Sequence, residues 1–406
     1  IVKVLSRELE GIIQSSLSDV KEDSFTLSVY FGRNVEARFD KLAHELTKVF
    51  QAPLLRARFV RSDKWELRSM RTIPMKEIPE EHMEDLEVFA EAYFGKKRYY
   101  GAREDTSKYD LAILVNPADK AIPSNKRAIV KFKQAAENMG FAVQVIGPDD
   151  IDRVGEFDAL FLRENTHVNH HTYQFASKAK KEGIVVFDTP EAILKCNNKV
   201  YLAEALAAAG IPTPATMIVH SENRDQVAQR FGFPLVLKLP DSTFSVGVMK
   251  ATSPKDLEAK LDQVLDESDL VIAQEYIPTD YDWRIGVLDG TPLYACKYFM
   301  ARGHWQIYNW SSSTRHDQTG TFETVSVEAA PPHIVETAVK AVKAIGVKGL
   351  FGVDLKEHEG KACVIEVNEC PNIDHGVEDK VMGDALYKAI IGAMLQRIEL
   401  KIRSER

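Results

Sequence analysis

Between residues 111 and 188 the chain changes its period several times. "LAILVNP" (111–117) opens as a continuous apolar run, and "KRAIVKFKQAAENMG" (126–140) then takes helical spacing and closes on glycine. "FAVQVIG" (141–147) and "FDALFLR" (157–163) are strand-like, "HTYQFASKAKKEG" (171–183) is a second glycine-closed helix, and "IVVFD" (184–188) is a further short apolar run. Apolar runs without alternation read as strands covered on both faces, and such strands alternating with helices imply a mostly parallel sheet. This stretch is therefore restricted to a layered α/β domain, expected over 106–190.

The flanking regions follow other rhythms. Residues 1–105 read as an α+β domain. "NVEARFDKLAHELTKVF" (34–50) has helical spacing, and "PLLRARFVRSDKWELRSMRTI" (53–73) reads as two strands about a polar turn at Ser62–Lys64. That hairpin carries Arg56, Arg58, Arg61, Arg68 and Arg71, which suit either guidance of an acidic substrate or a solvated sheet face. "EEHMEDLEVFAEAYF" (80–94) is a helix with an acidic first turn, which suits its dipole. The polar stretch 96–110 marks a boundary. Beyond it, 191–406 forms a third region. "NKVYLAEALAAAGIPTPATMIV" (198–219) is a helix, a glycine stop and a strand, and "FPLVLKLP" (233–240) and "LVIAQEYI" (270–277) are strands. "SPKDLEAKLDQVLDES" (253–268) and "PPHIVETAVKAVKAIG" (331–346) are helices, the latter with Val335, Ala338, Val342 and Ile345 on one stripe.

Composition narrows the function classes. A chain of 406 residues, 45% hydrophobic and 28% charged, is of soluble globular type and long enough for two or three domains. A net charge of −8 argues against a broad nucleic-acid footprint. The four cysteines form no CxxC pair, which argues against a structural zinc site and suggests a reducing compartment. No run reaches the length of a membrane span and no signal peptide opens the chain, so a cytoplasmic protein is expected.

The chemistry concentrates in the last region. In "GLFGVDLKEHEGKACVIEVNECPN" (349–372), two strand-like runs surround "KEHEGK", which suits a hairpin loop. Strand side chains alternate faces, so Glu366 and Asn368 share one face and Asp354 stands opposite the face of Phe351, Val353 and Leu355. Acids among apolar neighbours need a partner. Three oxygen donors without sulfur or imidazole suit magnesium, unless the hairpin is an edge with solvent-facing acids. Lys238, between leucines in "LVLKLP", is either a snorkelling lysine or a cation for phosphate. The small residues of "DSTFSVGV" after it, Ser242, Thr243, Ser245 and Gly247, form either an ordinary turn or a phosphate cradle. Neither GxxxxGK[ST] nor GxGxxG is present. In "QEYIPTDYDWRIGV" (274–287), Asp282 and Arg284 flank Trp283 and share a face, as an ion pair or as a site for an anion.

The order of these motifs resembles the ATP-grasp superfamily, and within it the RimK-like carboxylate–amine ligases. The resemblance covers roughly residues 110–400, and the first hundred resemble the extra N-terminal domain of a RimK-related subgroup. It implies an ATP-grasp fold over 191–406 behind a parallel-sheet pre-ATP-grasp domain. It implies that Lys199 and Lys238 contact nucleotide and that loop 241–247, with Ser242, Ser245 and Gly247, closes over phosphates. Glu275, Tyr276 and Ile277 would form the adenine and ribose hinge, and Asp282 a further nucleotide-site acid. Arg284 would face an acyl phosphate, with Lys297 and Asn309 near the γ-phosphate and substrate. Asp354, Glu366 and Asn368 would hold Mg2+, with Mn2+ as a substitute. The expected partners are ATP and the carboxylate and amine of amino acids or peptides, with glutamate a candidate. Nucleic acid and membrane are not expected, and a homo-oligomer is. There are two departures: the loop is poorer in glycine than the family's, which bears on its closure, and "WSSSTRHDQTG" replaces a glycine pair after Asn309, in a region expected to shape the substrate pocket. A non-catalytic ATP-binding module and a ligase making a small peptide-like metabolite are the alternatives.

Overall fold

The computed structural model describes residues 7–50, 52–95, 107–119, 122–240, 247–307 and 320–404. It separates into two compact units, residues 1–106 with 149–156, and residues 107–148 with 157–406. In the first unit, helix α1 (Arg7–Ser16) precedes strand β1 (Ser24–Tyr30), helix α2 (Asp40–Val49), the hairpin β2 (Leu54–Arg61) and β3 (Trp65–Thr72), and helix α3 (Met83–Gly95). The strands form an antiparallel sheet in the order β1-β2-β3. Leu9 and Ile13 of α1 and Leu42 and Leu46 of α2 pack with Leu27, Leu55, Phe59 and Trp65 from the sheet. The arginine hairpin is partly self-satisfied. Arg56 and Arg71 both reach Glu77, at 3.3 and 2.6 Å, and Arg61 donates to the carbonyls of Val20 and Lys21. Arg58 and Arg68 remain exposed.

The second unit begins with β4 (Tyr109–Leu114), α4 (Lys126–Glu137), β5 (Phe141–Ile146), β6 (Ala159–Leu162), α5 (His171–Lys181) and β7 (Val185–Phe187). These strands pair in parallel in the order β5-β4-β6-β7, as the alternation of periods predicts. Helices α6 (Pro190–Asn197) and α7 (Lys199–Ala208) follow. Next come β8 (Thr216–Val219), α8 (Gln226–Arg230), β9 (Leu235–Lys238), β10 (Val248–Ala251), α9 (Pro254–Glu267) and β11 (Val271–Glu275). The four strands form an antiparallel sheet, β10-β9-β11-β8, with its own core against α9. The last block holds β12 (Tyr281–Leu288), β13 (Thr291–Phe299), β14 (Phe322–Val325), α10 (Pro332–Ile345), β15 (Leu350–His358), β16 (Lys361–Glu369) and α11 (Asp384–Ser404). Its strands form a second antiparallel sheet, β14-β13-β12-β15-β16. Helix α10 covers one face of it, burying Ile334, Ala338, Ala341, Val342 and Ile345, whereas Val335 is only half-buried. Residues of β4, α4 and β6 share a core with Tyr294, Leu350 and α11, so the parallel sheet and the last sheet are fused.

The β15–β16 hairpin departs from expectation in its turn. "KEHEGK" is not the loop. The strands run on through His358 and from Lys361, and only Glu359 (φ 51) and Gly360 (φ 70) turn the chain. Two successive residues at positive φ make the primed turn that matches strand twist. Lys356 is thereby placed in the strand.

Two features fix the floor between the sheets. Arg163, just past β6, is fully buried and donates to the Ser124 hydroxyl at 3.0 Å and to the carbonyls of Pro123 and Pro371 at 2.6 and 2.8 Å. It ties the loop after β16 to the parallel sheet. Gly286 and Gly352 lie opposite each other on β12 and β15. A Cβ on Gly286 would come within 2.1 Å of the Tyr294 ring, and one on Gly352 within 2.7 Å of Pro371 Cβ. Bare backbone is needed there for space. Gly352→Ala is accordingly expected to cost about 1–3 kcal/mol in urea unfolding through overpacking. Gly392→Ala in α11, where a Cβ meets nothing within 4 Å, should instead leave stability unchanged or raise it by up to ~1 kcal/mol.

Candidate active site

One cleft in the second unit collects most of the chemistry read from the sequence. Its floor is a row of cross-strand partners. Arg284 of β12 pairs in register with Asp354 of β15, and Asp354 with Glu366 of β16. Directly opposed residues project to the same face, so the row is a consequence of register alone. Arg284 clasps Asp354 with two parallel bonds, Nε to Oδ1 at 2.7 Å and Nη2 to Oδ2 at 2.8 Å. Asn368 donates through Nδ2 to Asp354 Oδ2 at 3.0 Å, which leaves its carbonyl oxygen for another partner. Lys199, at the start of α7 beyond the Asn198 cap, reaches Glu366 at 3.0 Å. The acids of the hairpin thus find protein cations as partners.

Burial sets the charge states. It pushes the Asp354 carboxyl upward against the pull of Arg284. It would raise Glu366 too, but Lys199 and Lys238 hold that carboxyl below its ordinary range. Lys238, at the end of β9, is brought down to about 8, first by burial and then by the like charge of Lys199. It lines the same cleft, where Glu366 and Asp282 pull its proton affinity back only in part. Asp282 also lines the cleft and is held by Lys356 Nζ at 2.6 Å, which in turn reaches the Thr279 hydroxyl. Lys356 is a cleft residue that sequence reasoning missed, because it was expected in a loop. Strand parity with Asp354 is the signal that would have found it.

The far wall is the end of β11 and the segment after it. Glu275, Tyr276 and Ile277 line the cleft, with Ile277 buried and Glu275 Oε2 accepting the Ala215 N–H at 3.2 Å. Tyr276 meets Trp305 edge-on at 5.9 Å, and Lys250 Nζ lies 4.8 and 5.1 Å from the two rings. Trp305 has no counterpart among the sequence expectations. Gly247 lies at φ 76, and its carbonyl accepts the Leu239 N–H at 3.2 Å. Ser242, Ser245 and Asn309 lie outside the described residues.

Lys297 is not brought to the cleft. Its register partner is Trp283, so it projects from the face opposite Arg284, over the Tyr281 and Trp283 rings, and pairs with Glu323 at 3.0 Å. Behind Arg284, the Tyr298 ring stands 5.2 Å from the guanidinium, and its hydroxyl donates to the buried Glu378.

Comparison with known proteins gives this geometry a setting. Residues 1–89 match the RimK-like ATP-grasp N-terminal domain, and 205–375 match the D-Ala–D-Ala ligase C-terminus. A probable alpha-L-glutamate ligase of Pectobacterium carotovorum is 25% identical over 308 residues, covering 71% of this chain and 95% of the relative. In fold, the chain is similar to D-alanine–D-alanine ligase from Bacillus anthracis (TM-score 0.57, 17% identity, 73% of this chain and 99% of that one), which is also known complexed with ATP. It is similar as well to a RimK domain ATP-grasp protein from Sphaerobacter thermophilus (TM-score 0.53, 16% identity, 70% and 99%). These matches together support an ATP-grasp ligase fold behind a RimK-like N-terminal domain as what the chain is similar to. A further neighbour, the ATP-grasp ligase PsnB, has been seen with a minimal precursor and, for a phosphomimetic variant of that precursor, with Mg and ADP (TM-score 0.52 and 0.51). Among the described residues, no helix is long and apolar enough to cross a membrane.

The support behind Arg284 can be tested by pH. Burial raises the Glu378 carboxyl to about 7. A carboxyl raised in the folded state favours folding most below its unfolded value, and that contribution is lost as pH rises through the folded value. Urea unfolding from pH 5 to 8 should show stability falling, and Glu378→Gln should flatten part of the fall.

Proposed function

We propose that the chain joins a carboxylate to an amine at the expense of ATP, with an amino acid such as glutamate added to an amino acid, peptide or protein. The row Arg284–Asp354–Glu366, facing Lys199 and Lys238 across one cleft, carries this reading. It gathers cations suited to phosphates and acids suited to a hard metal on one rigid sheet face.

The donor set fits Mg2+. Asp354, Glu366 and the carbonyl of Asn368 offer oxygen only, on adjacent strands of one face, and Mg2+ takes a few protein oxygens while keeping waters and phosphate ligands. Bound there, the ion would neutralise phosphate charge as it grows during transfer. In our reading, Lys199 and Lys238 hold the phosphates. The 275–277 segment takes the adenine through its bare backbone, and Glu275 a ribose hydroxyl. The substrate carboxylate attacks the γ-phosphate and gives an acyl phosphate and ADP. The amine then attacks the acyl carbon, and phosphate departs. Arg284 faces the acyl phosphate and the later oxyanion, a task for which its fork is suited. Loop 241–247 is positioned in sequence to exclude water from the intermediate. Lys297 is left without a role in this scheme, since it occupies the other face of the sheet. Support for an amino-acid carboxylate comes from the name of the Pectobacterium relative, and support for Mg2+ from the PsnB complex.

Two measurements test the proposal. Incubation with magnesium–ATP and a panel of amino acids, dipeptides and acidic peptides should release ADP and phosphate only when both a carboxylate and an amine are present. The product mass should equal their condensation, and the Asp354→Ala, Glu366→Ala double variant should give none. Arg284→Lys, which keeps the charge and loses the fork, is expected to lower turnover by roughly 10²–10³. Tight nucleotide binding without turnover on any pair would replace the ligase by a binding module. The second measurement concerns Lys238. Its proton is held loosely before phosphate arrives, so nucleotide binding should take up a proton above pH 8 and weaken as pH rises further. Calorimetry in buffers of different ionisation heat reads this directly, and Lys238→Met should abolish the uptake.

A further inference from the structure

The connection between β6 and α5, with the first residue of α5, reads "RENTHVNHH" (163–171) and leaves the C-terminal end of a parallel strand, where open α/β sheets place ligands. It carries a cluster that the ligase scheme does not use. Glu164, His170 and His171 each present a ligand atom, and these lie within 4.8 Å of one another. The two imidazole rings stand 3.8 Å apart. Glu164 is fully buried. Its Oε2 meets His171 Nε2 at 2.5 Å, while its Oε1 is buried with no hydrogen-bond partner among the described residues. A carboxylate oxygen left without a partner inside a protein costs free energy and calls for a missing one.

We propose that Glu164, His170 and His171 form a site for a divalent transition metal ion, with Zn2+ the best match to the donors. Two imidazoles and one carboxylate suit zinc, whereas Mg2+ prefers oxygen throughout. The second layer of contacts prepares the ligands. The Thr172 hydroxyl donates to the Asn165 carbonyl at 3.3 Å, so its oxygen is left to accept from His170 Nδ1–H at 3.0 Å. That bond fixes the tautomer and leaves the His170 Nε2 lone pair for the ion. An ion entering the cluster would displace the proton shared by His171 and Glu164 and give Glu164 its missing partner.

Three protein ligands leave a fourth position open. The next residues, Asn165 and Thr166, line the active-site cleft, and Thr166 donates to the buried Glu369 at 2.5 Å. A bound ion would therefore stiffen the part of the cleft wall that the 163–172 segment provides. Nothing in this assignment rests on the ligase reading, and zinc binding is measurable without turnover.

The test uses the full chain, stripped with a chelator and titrated with Zn2+ alone. The expected result is one Zn2+ retained at this site and a higher melting temperature on binding. The His170→Gln, His171→Gln double variant should lose that ion, and Thr172→Val should weaken its binding by about 10–100-fold while keeping both imidazoles. The variants should melt with the parent when chelator is present. If they do not, the Co2+-loaded parent decides, through a visible spectrum showing nitrogen ligation. Absence of zinc, equal retention by the double variant, or a Co2+ spectrum without nitrogen ligation would overturn the site and leave Glu164–His171 as a hydrogen-bonded pair only.

Discussion

The floor of the cleft depends on one guanidinium. Arg284 takes both oxygens of Asp354 in a fork that only arginine can present. Neither partner could be buried alone without a large desolvation cost, and the pair tolerates burial because each satisfies the other. The pairing also fixes orientation. Once Arg284 and Asp354 are opposite one another, Glu366 and Asn368 are committed to the same face and Trp283 and Lys297 to the other. A slip of one residue in either strand would exchange the two sets. The charged and apolar faces of this sheet are therefore two readings of one register.

The cleft is close to self-neutralised although the chain carries a net charge of −8. Lys199 answers Glu366, Arg284 answers Asp354 and Lys356 answers Asp282. Lys238 stands nearest to being an uncompensated cation, and burial accordingly loosens its proton. An anionic ligand entering such a site meets one underused positive charge and a set of ion pairs ready to be rearranged. Local pairing, rather than overall charge, sets the potential that a phosphate would meet.

Much of this was legible in the sequence, for physical reasons that differ between elements. The parallel sheet announced itself through apolar runs separated by glycine-closed helices. The acids of the hairpin did so through the two-residue period of a strand. What was not legible depended on facts outside a single segment. "KEHEGK" looks like a loop, and only the positive φ of Glu359 and Gly360 shows how short the turn is and that Lys356 belongs to the strand. Lys297 stood in a suggestive order along the chain, yet the face it takes is decided by which residue of β12 it opposes. Glu164 and His170 fall between a strand and a helix, where no periodicity speaks, and the connection brings them to His171 at the start of α5. Trp305 joins Tyr276 across a distance that no local pattern encodes.

The facing glycines of β12 and β15 restrict how this cleft can diversify. Where Gly286 and Gly352 lie, Tyr294 and Pro371 already occupy the space that new side chains would need. The sheet is in effect a fixed die, open to change of neither shape nor chemistry near its charged row. Any drift in what the cleft accepts must come through the segments at its rim, among them 163–172 and the turn bearing Trp305. Directed evolution of specificity would do best to randomise those segments and leave the strands untouched.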